Sequence, residues 1–248
     1  MRTMLRTCIG LSLVLFLGSS FIFHAALRHK PRILVFSKTH GYRHGSIGVG
    51  KLAIVSLGQE NGFDVDTTED STAFTDKNLR KYAAVVFLST TGNNILDSAE
   101  EMAFERFIES GKGFVGVHAA TDCGYNWPWY GKLVGAYFLK HPKQQQATLH
   151  VVDPTDISTR HLPATWSRLD EWYNFKDIQP DLHVLLTIDE SSYEGGVNGP
   201  NHPMAWRHSY DGGRAFYTEL GHTDASYSDP LYLKHLLGGI EYAMGEAK

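Results

Sequence analysis

Cysteine is scarce in this chain. The 248 residues include two cysteines, and one of them, Cys8, lies inside an amino-terminal apolar run. The other, Cys123, cannot form an internal disulfide alone, so the fold must rest on its hydrophobic core. The sequence also has no Cys-x-x-Cys pair and no His-Glu-x-x-His helix, which argues against a structural zinc site. A metal site assembled from distant loops stays open.

Basic residues are fewer than acidic residues in this chain. The chain has 23 Lys and Arg residues against 27 Asp and Glu residues, a formal net charge of -4 and an isoelectric point near 6.3. Proteins that bind nucleic acids neutralise phosphates with clustered basic side chains. We therefore expect no nucleic-acid partner.

The chain contains a single long apolar run, at its amino terminus. The 16 residues CIGLSLVLFLGSSFIF, 8–23, lie between the basic segments MRTMLRT and HAALRHKPR, a pattern typical of export signals. The run is shorter than the roughly 20 residues that span a bilayer, which favours a cleaved signal peptide. The basic residues that follow it, and the lack of an Ala-x-Ala site, leave a retained anchor open. We expect an exported periplasmic or extracellular protein with a signal or anchor at 1–27, its only membrane contact, and one domain at 28–248.

Internal repeats and low-complexity linkers are absent after Pro31, which indicates a single domain. Apolar, β-branched runs predict strands at 32–37, 63–67, 82–88 and 113–117. Apolar periodicity predicts helices from Ser46 to Asn61 and from about Asp97 to Gly111. Further strands are predicted at 147–152, 184–188, 204–207 and 214–219, with a last helix from Pro230 to about Met244. This alternation indicates an α/β domain with a mostly parallel sheet.

Three polar, glycine-bearing loops follow predicted strands, at 40–45, 89–94 and 118–124. In parallel sheets, sites lie beyond the carboxyl ends of the strands. His118 ends the run GFVGV and precedes small residues, as a nucleophile elbow does, although histidine suits proton transfer or metal binding better than acyl-enzyme chemistry. The alternative is a buried histidine bonded to a carbonyl. Cys123 lies nearby, and we interpret it as a small residue without a catalytic role because no second motif supports a thiol mechanism.

Histidine is abundant, with 13 residues, several of them in loops. Candidate ligands for a metal are Glu171 together with His40, His118, His141, His202, His208 and His222, and their spacing does not say which converge. The segment DEWYNF, 170–175, places acids beside aromatics. That arrangement is typical of sugar sites, where aromatic faces pack against the ring, and it is also compatible with an ion pair and core aromatics.

The ordered motifs of the chain resemble those of the ThuA-like, or trehalose-utilisation, family. The motifs are LVFSKTHGYRH (34–44), GVHAATD (116–122), WYGKLVGAYF (129–138), HP at 141, LP and W at 162–166, DEWYNF, NHPMAW (201–206), GGRAFYTELGH (212–222) and DPLYLKHLLGGIEYA (229–243). The resemblance implies a flavodoxin-like fold similar to the class I glutamine amidotransferases, with helices on both faces of the sheet. Those relatives carry a cysteine at the elbow where this chain has His118, so thioester chemistry looks lost.

The resemblance also implies a carbohydrate substrate, either trehalose-like or a 3-keto-glycoside. We expect His118, Glu171 and His222 to be catalytic, by acid/base or metal-assisted chemistry, with zinc as one candidate metal. The residues expected to bind or orient the substrate are His40, Arg43, Asp122, Trp172 and Tyr173. Two other classes stay open: a non-catalytic extracytoplasmic sugar-binding protein, and a residual amidase or hydrolase that uses Cys123.

Overall fold

The computed structural model describes residues 30–246. The signal or anchor predicted at 1–27 lies outside these residues. Within the described range, no helix combines the length and apolar character needed to cross a membrane.

The amino-terminal half alternates strands and helices as predicted. Its elements are β1 (Arg32–Phe36), α1 (Ile47–Asn61), β2 (Asp64–Thr68), α2 (Asp76–Leu79), β3 (Ala84–Leu88), α3 (Ser98–Glu109), β4 (Gly113–Val117) and α4 (Pro128–Val134). Local chemistry sets the helix ends. Gly62 closes α1 in the left-handed region at φ +80°, and Asp97 with Glu100 forms a capping box at the start of α3.

The carboxyl-terminal half is richer in strands than predicted. Its elements are β5 (Tyr137–Lys140), β6 (Gln145–Val151), β7 (Thr165–Asp170), β8 (Asn174–Lys176), β9 (His183–Ile188), β10 (Pro203–Tyr210), β11 (Gly213–Thr218) and α5 (Pro230–Met244). The sequence patterns missed α2, α4, β5, β7 and β8. In β7, Arg168 and Asp170 are buried while Leu169 is exposed, so the polarity pattern of the second half of this strand is the reverse of that in an ordinary half-buried strand.

Nine strands form one mixed sheet in the order β2-β1-β3-β4-β11-β10-β9-β6-β7, and β5 pairs with β8 separately. The first five strands in this order run parallel. The remaining strands extend the sheet with antiparallel pairs. The α/β fold class is confirmed, and the antiparallel extension is the part that the sequence patterns did not reveal.

Helices cover both faces of the parallel half. On β3, the ring of Phe87 stacks on Phe104 of α3 at 5.4 Å between centroids. The next residue, Leu88, lies against Gly50 of α1. Because consecutive residues of a strand point to opposite faces, α1 and α3 must lie on opposite sides of the sheet.

The antiparallel half curls back over the end of the parallel half. β4 and β7 are five positions apart in the sheet, about 24 Å if it were flat at ~4.8 Å per strand. Yet His118, just after β4, lies 3.6 Å from Glu171, just after β7. Register shifts in β10, between Pro203 and Trp206, are consistent with this bend because a bulge increases local twist. The curl therefore brings the end of β7 to the carboxyl ends of the parallel strands.

The contact of α1 with β2 depends on Gly58. A Cβ atom there would lie 2.6 Å from a methyl group of Val65 and 2.7 Å from the carbonyl oxygen of Phe63. Gly48, in the same helix, has open space at its Cβ position. We expect Gly58→Ala to be less stable than Gly48→Ala by about 1–3 kcal/mol, because both gain helix propensity and only the first is overpacked. Urea unfolding of both variants measures the difference, and equal stabilities would contradict this packing.

Candidate functional site

The turn after β4 holds His118 in a strained conformation. His118 has φ +50°, is fully buried, and opens a short 3-10 turn over His118–Thr121. Residues other than glycine rarely adopt positive φ, and such outliers concentrate at functional sites. The local geometry is thus a strained strand-to-turn elbow that carries a buried imidazole.

A backbone carbonyl sets the proton position on His118. Its Nδ1 lies 2.8 Å from the carbonyl oxygen of Glu219, which follows β11. A carbonyl only accepts, so Nδ1 carries the hydrogen and Nε2 bears the lone pair in the neutral ring. Nε2 lies 3.0 Å from Nδ1 of His222 and 3.6 Å from Oε2 of Glu171. The lone pair of His118 therefore points at the other predicted catalytic residues.

Four side chains from four loops converge at this point. His44 follows β1, His118 follows β4, Glu171 follows β7 and His222 follows β11. One donor atom from each lies within 4.8 Å of the other three, and we call this set the four-residue cluster. The Nδ1 of His222 is 3.1 Å from Oε2 of Glu171. Three histidines and one carboxylate are a ligand set that suits a divalent transition metal.

Burial and neighbouring groups shift two pKa values in the cluster. Burial, together with the nearby His118 and His222, lowers the pKa of His44 to about 3, so this ring is neutral at neutral pH. Burial alone would raise the pKa of Glu171, but the adjacent imidazoles of His118 and His222 outweigh it and hold the pKa below its usual range. The cluster therefore contains a neutral imidazole beside an ionised carboxylate.

Glu219 lies beneath the cluster, and its pKa is shifted in the opposite direction from that of Glu171. It is fully buried, and desolvation followed by the charge of Asp170 raises its pKa well above the usual range. One carboxyl oxygen accepts a hydrogen bond from the backbone N–H of Tyr173 at 3.1 Å. The other has no hydrogen-bond partner among the described residues. The buried environment of Glu219 thus favours the protonated form of its carboxyl group.

A pocket of about 350 Å³ opens above the cluster, and we call it the sheet-end pocket. It is lined by Tyr42, His44, Asp122, Phe138, His141, Gln144, Glu171, Tyr173 and His222. Three aromatic rings, Tyr42, Phe138 and Tyr173, provide apolar walls, and the remaining lining is polar. This size and composition suit a small polar molecule with an apolar face.

Asp170 ties the two sides of the cluster together. It is fully buried and accepts hydrogen bonds from the backbone N–H of Glu171 at 3.1 Å and of Gly221 at 3.2 Å. These amides belong to Glu171 itself and to the residue before His222. Arg168 balances the charge of Asp170 at 3.0 Å. Asp170 therefore positions Glu171 relative to His222 without touching the pocket.

The structure brings together five of the eight residues predicted from sequence. His118, Glu171 and His222 meet in the cluster, while Asp122 and Tyr173 line the pocket. The Tyr173 ring also packs on His118 at 4.5 Å between centroids. Asp122 accepts a hydrogen bond from the hydroxyl of Tyr125 at 2.7 Å, and burial raises its pKa.

The other three predicted residues do not line the pocket. The exposed ring of His40 bonds to the carbonyl oxygen of Asn93. Arg43 forms a bidentate ion pair with Glu69. Trp172 is fully buried and donates its indole N–H to the carbonyl oxygen of Gln145. These contacts are structural.

Sequence reasoning missed His44 as a site residue. It lies in the same THGYRHG loop as His40, and the second histidine of that loop was the available signal. Among the other candidate ligands, His202 and His208 are buried and bond to the carbonyl oxygens of Tyr173 and Leu133. They therefore support the core outside the cluster, and His141 remains at the pocket edge, 3.2 Å from Oε1 of Glu171.

The Cys123 thiol is unsuited to nucleophilic catalysis. It is fully buried, and desolvation raises its pKa to about 12. Its sulfur contacts the hydroxyls of Thr90 and Tyr130, away from the pocket lining. These contacts agree with a small packed residue and disfavour a thiol hydrolase.

We expect Asp170→Asn to destabilise the protein by about 3–5 kcal/mol, the cost of breaking a buried ion pair. The new amide would also face the donors of Arg168 and Gly221. Guanidinium unfolding measures the effect. The control is Asp76→Asn, which removes an exposed pair with Arg106 and should cost much less. Equal small losses in both variants would show that Asp170 does not hold the site together.

Comparisons with known proteins identify the family. The ThuA family profile, described as trehalose utilisation, matches residues 32–243. The fold is similar to a ThuA-like protein from Bacteroides uniformis, with 26% identity, TM-score 0.75, and coverage of 88% of this chain and 93% of that chain. A ThuA-like protein from Parabacteroides merdae is 20% identical, with TM-score 0.71 and coverage of 88% and 92%.

A cytoplasmic protein from Salmonella typhimurium shares the fold at 13% identity, with TM-score 0.61 and coverage of 87% of this chain and 99% of that chain. No curated protein matches the sequence significantly. The motifs that carried the resemblance, from the loop after β1 to α5, fall within the matched range. The family prediction is confirmed, and the chain belongs to the ThuA family.

Proposed function

We propose that the protein is an enzyme that acts on trehalose-like sugars or 3-keto-glycosides in the sheet-end pocket. The observation that carries the proposal is the convergence of His118, Glu171 and His222 at the floor of this pocket. Ionisable groups gathered in a cleft at the carboxyl ends of parallel strands are typical of active sites. The family description, trehalose utilisation, supports a carbohydrate substrate.

The pocket walls support a sugar ligand. Sugars present C–H groups on one ring face and hydroxyls at the edges. Tyr42, Phe138 and Tyr173 offer faces for the first, and Asp122, His141 and Gln144 offer hydrogen bonds for the second. The pocket therefore matches the amphipathic character of a sugar ring.

A 3-keto-glycoside gives this site a specific reaction. A carbonyl at C3 acidifies the C2–H bond, and a base that takes this proton leaves an enolate. The electron pair of the enolate then forms the C1–C2 double bond and expels the glycosidic oxygen, which leaves as an alcohol after it accepts a proton. The reaction needs a proton acceptor, a proton donor and a group that polarises the ketone, and a histidine-rich site provides such groups.

We further propose that the substrate is met outside the cytoplasm. This part of the proposal rests on the apolar run at 8–23 with its basic flanks, which lies outside the described residues. It implies that the protein meets its sugar in the periplasm or beyond.

We expect His118→Gln to lower kcat on 3-keto-trehalose by at least about 100-fold, the usual scale for losing an acid/base or ligand group. The matched control is His40→Gln, which replaces an exposed histidine outside the pocket and should keep kcat within about 3-fold. An NMR time course with the full-length chain measures turnover, and circular dichroism verifies folding. Binding without turnover in the wild-type protein would favour a sugar-binding protein.

We expect Tyr42→Ala to raise KM about 3- to 10-fold with kcat nearly unchanged, because an aromatic contact contributes about 0.5–1.5 kcal/mol. Tyr42 is 68% exposed, so its replacement should not disturb the core. Steady-state kinetics on the same substrate separate the two constants. An unchanged KM would remove Tyr42 from the substrate-binding wall.

A further inference from the structure

We propose that His44, His118, Glu171 and His222 together bind one divalent transition-metal ion, with Zn²⁺ as the reference ion. Metal binding by these residues does not depend on the proposed function. Its role in catalysis does, because the ion would polarise the substrate carbonyl.

The spacing of the donor atoms fits a coordination sphere. Metal–ligand bonds of about 2.0–2.1 Å in tetrahedral geometry place neighbouring donors about 3.3 Å apart. The three measured separations among Nε2 of His118, Nδ1 of His222 and Oε2 of Glu171 are 3.0, 3.6 and 3.1 Å. The donor atom of His44 completes a set within 4.8 Å. Small side-chain shifts are enough to surround one ion.

Contacts with groups outside the four-residue cluster orient three of the proposed ligands, His118, Glu171 and His222. Metal-binding histidines generally donate their second ring N–H to a carbonyl or carboxylate. His118 does so through Nδ1 to the carbonyl oxygen of Glu219. The free Oε1 of Glu171 lies 3.2 Å from His141, and Nε2 of His222 lies 2.7 Å from the carboxamide of Gln144. With Nδ1 of His222 on the metal, Nε2 would donate to the Gln144 amide oxygen, since the two amide orientations are interchangeable.

His44 supplies an independent observation. Only 4% of the surface of His44 is exposed, and its Nδ1 has no hydrogen-bond partner among the described residues. Its ring stands edge-on to the rings of His118 and His222, with centroids 4.7 and 5.1 Å away. A buried polar nitrogen without a partner is costly. A bound ion would account for burying a third histidine beside two others.

The pocket offers the metal a substrate-facing side. His44, Glu171 and His222 all line the sheet-end pocket, whereas His118 lies below them. An ion at their centre would face the pocket and could take a substrate oxygen as a fifth ligand, an expansion that zinc tolerates. The Lewis acid would then polarise the ketone of a 3-keto sugar, and Asp122 and His141, which line the same pocket, would be the nearby groups for proton transfer.

The test is metal binding by the full-length protein after EDTA treatment and dialysis. Calorimetric titration with Zn²⁺ should show one ion per chain, and Co²⁺ should give a visible absorption band from the same site. His44→Gln and His118→Gln should each weaken Zn²⁺ binding by at least about 100-fold. The matched control, His40→Gln, changes a histidine in the same loop as His44 and should leave affinity within about 3-fold. Circular dichroism of the metal-free variants shows that each one folds.

The outcomes separate the metal site from the proposed function. Wild-type protein that binds no stoichiometric ion, or variants that bind as tightly as the wild type, would overturn the metal site. Turnover of 3-keto-trehalose that requires His118 in metal-free protein would reject the catalytic role of the metal and keep the enzyme. Tight one-to-one binding that requires His44 and His118, without turnover of the sugar, would keep the metal site and reject the substrate.

Discussion

The hydrogen bond from Nδ1 of His118 to the carbonyl oxygen of Glu219 organises the site. It links the end of β4 to the end of β11, two neighbouring parallel strands, and it directs the Nε2 lone pair toward Glu171 and His222. Because the donor is a ring N–H and the acceptor a carbonyl, the bond selects one tautomer. The strained φ of His118 is the backbone cost of this placement.

The two halves of the sheet contribute different residues to the four-residue cluster. The parallel half contributes His44, His118 and His222 from loops at the carboxyl ends of its strands, where open α/β sheets usually bind ligands. The antiparallel half contributes the carboxylate, since only its curl brings Glu171 across the distance that separates β7 from β4. Asp170 then stabilises this arrangement by accepting hydrogen bonds from the backbone amides of Glu171 and Gly221. The site therefore depends on a long-range fold feature that the parallel half alone would lack.

The elbow after β4 carries a histidine, and its surroundings differ from those of a thiol nucleophile. A buried Cys123 with a raised pKa cannot act as the thiolate of an amidotransferase, and the elbow residue itself is an imidazole. A carboxylate and two further histidines lie around that imidazole, and a pocket with aromatic walls opens above them. The architecture of the sheet is that of an amidotransferase-like fold, and the proton or metal chemistry that we propose would use this cluster in place of a thiol nucleophile.

The sequence by itself determined the α/β class, the principal strands and helices, the family, and the position of His118 at the end of a central strand. These follow from local patterns: apolar runs, glycine stops, and the rule that sites lie at the carboxyl ends of parallel strands. Only the tertiary structure decided between His40 and His44, because both lie in one loop and burial distinguishes them. It also decided that Arg168 and Asp170 face inward on β7, since a buried ion pair looks polar in sequence. The physical reason is the same in each case, because contacts between distant segments and the burial of polar side chains leave no periodic pattern along the chain.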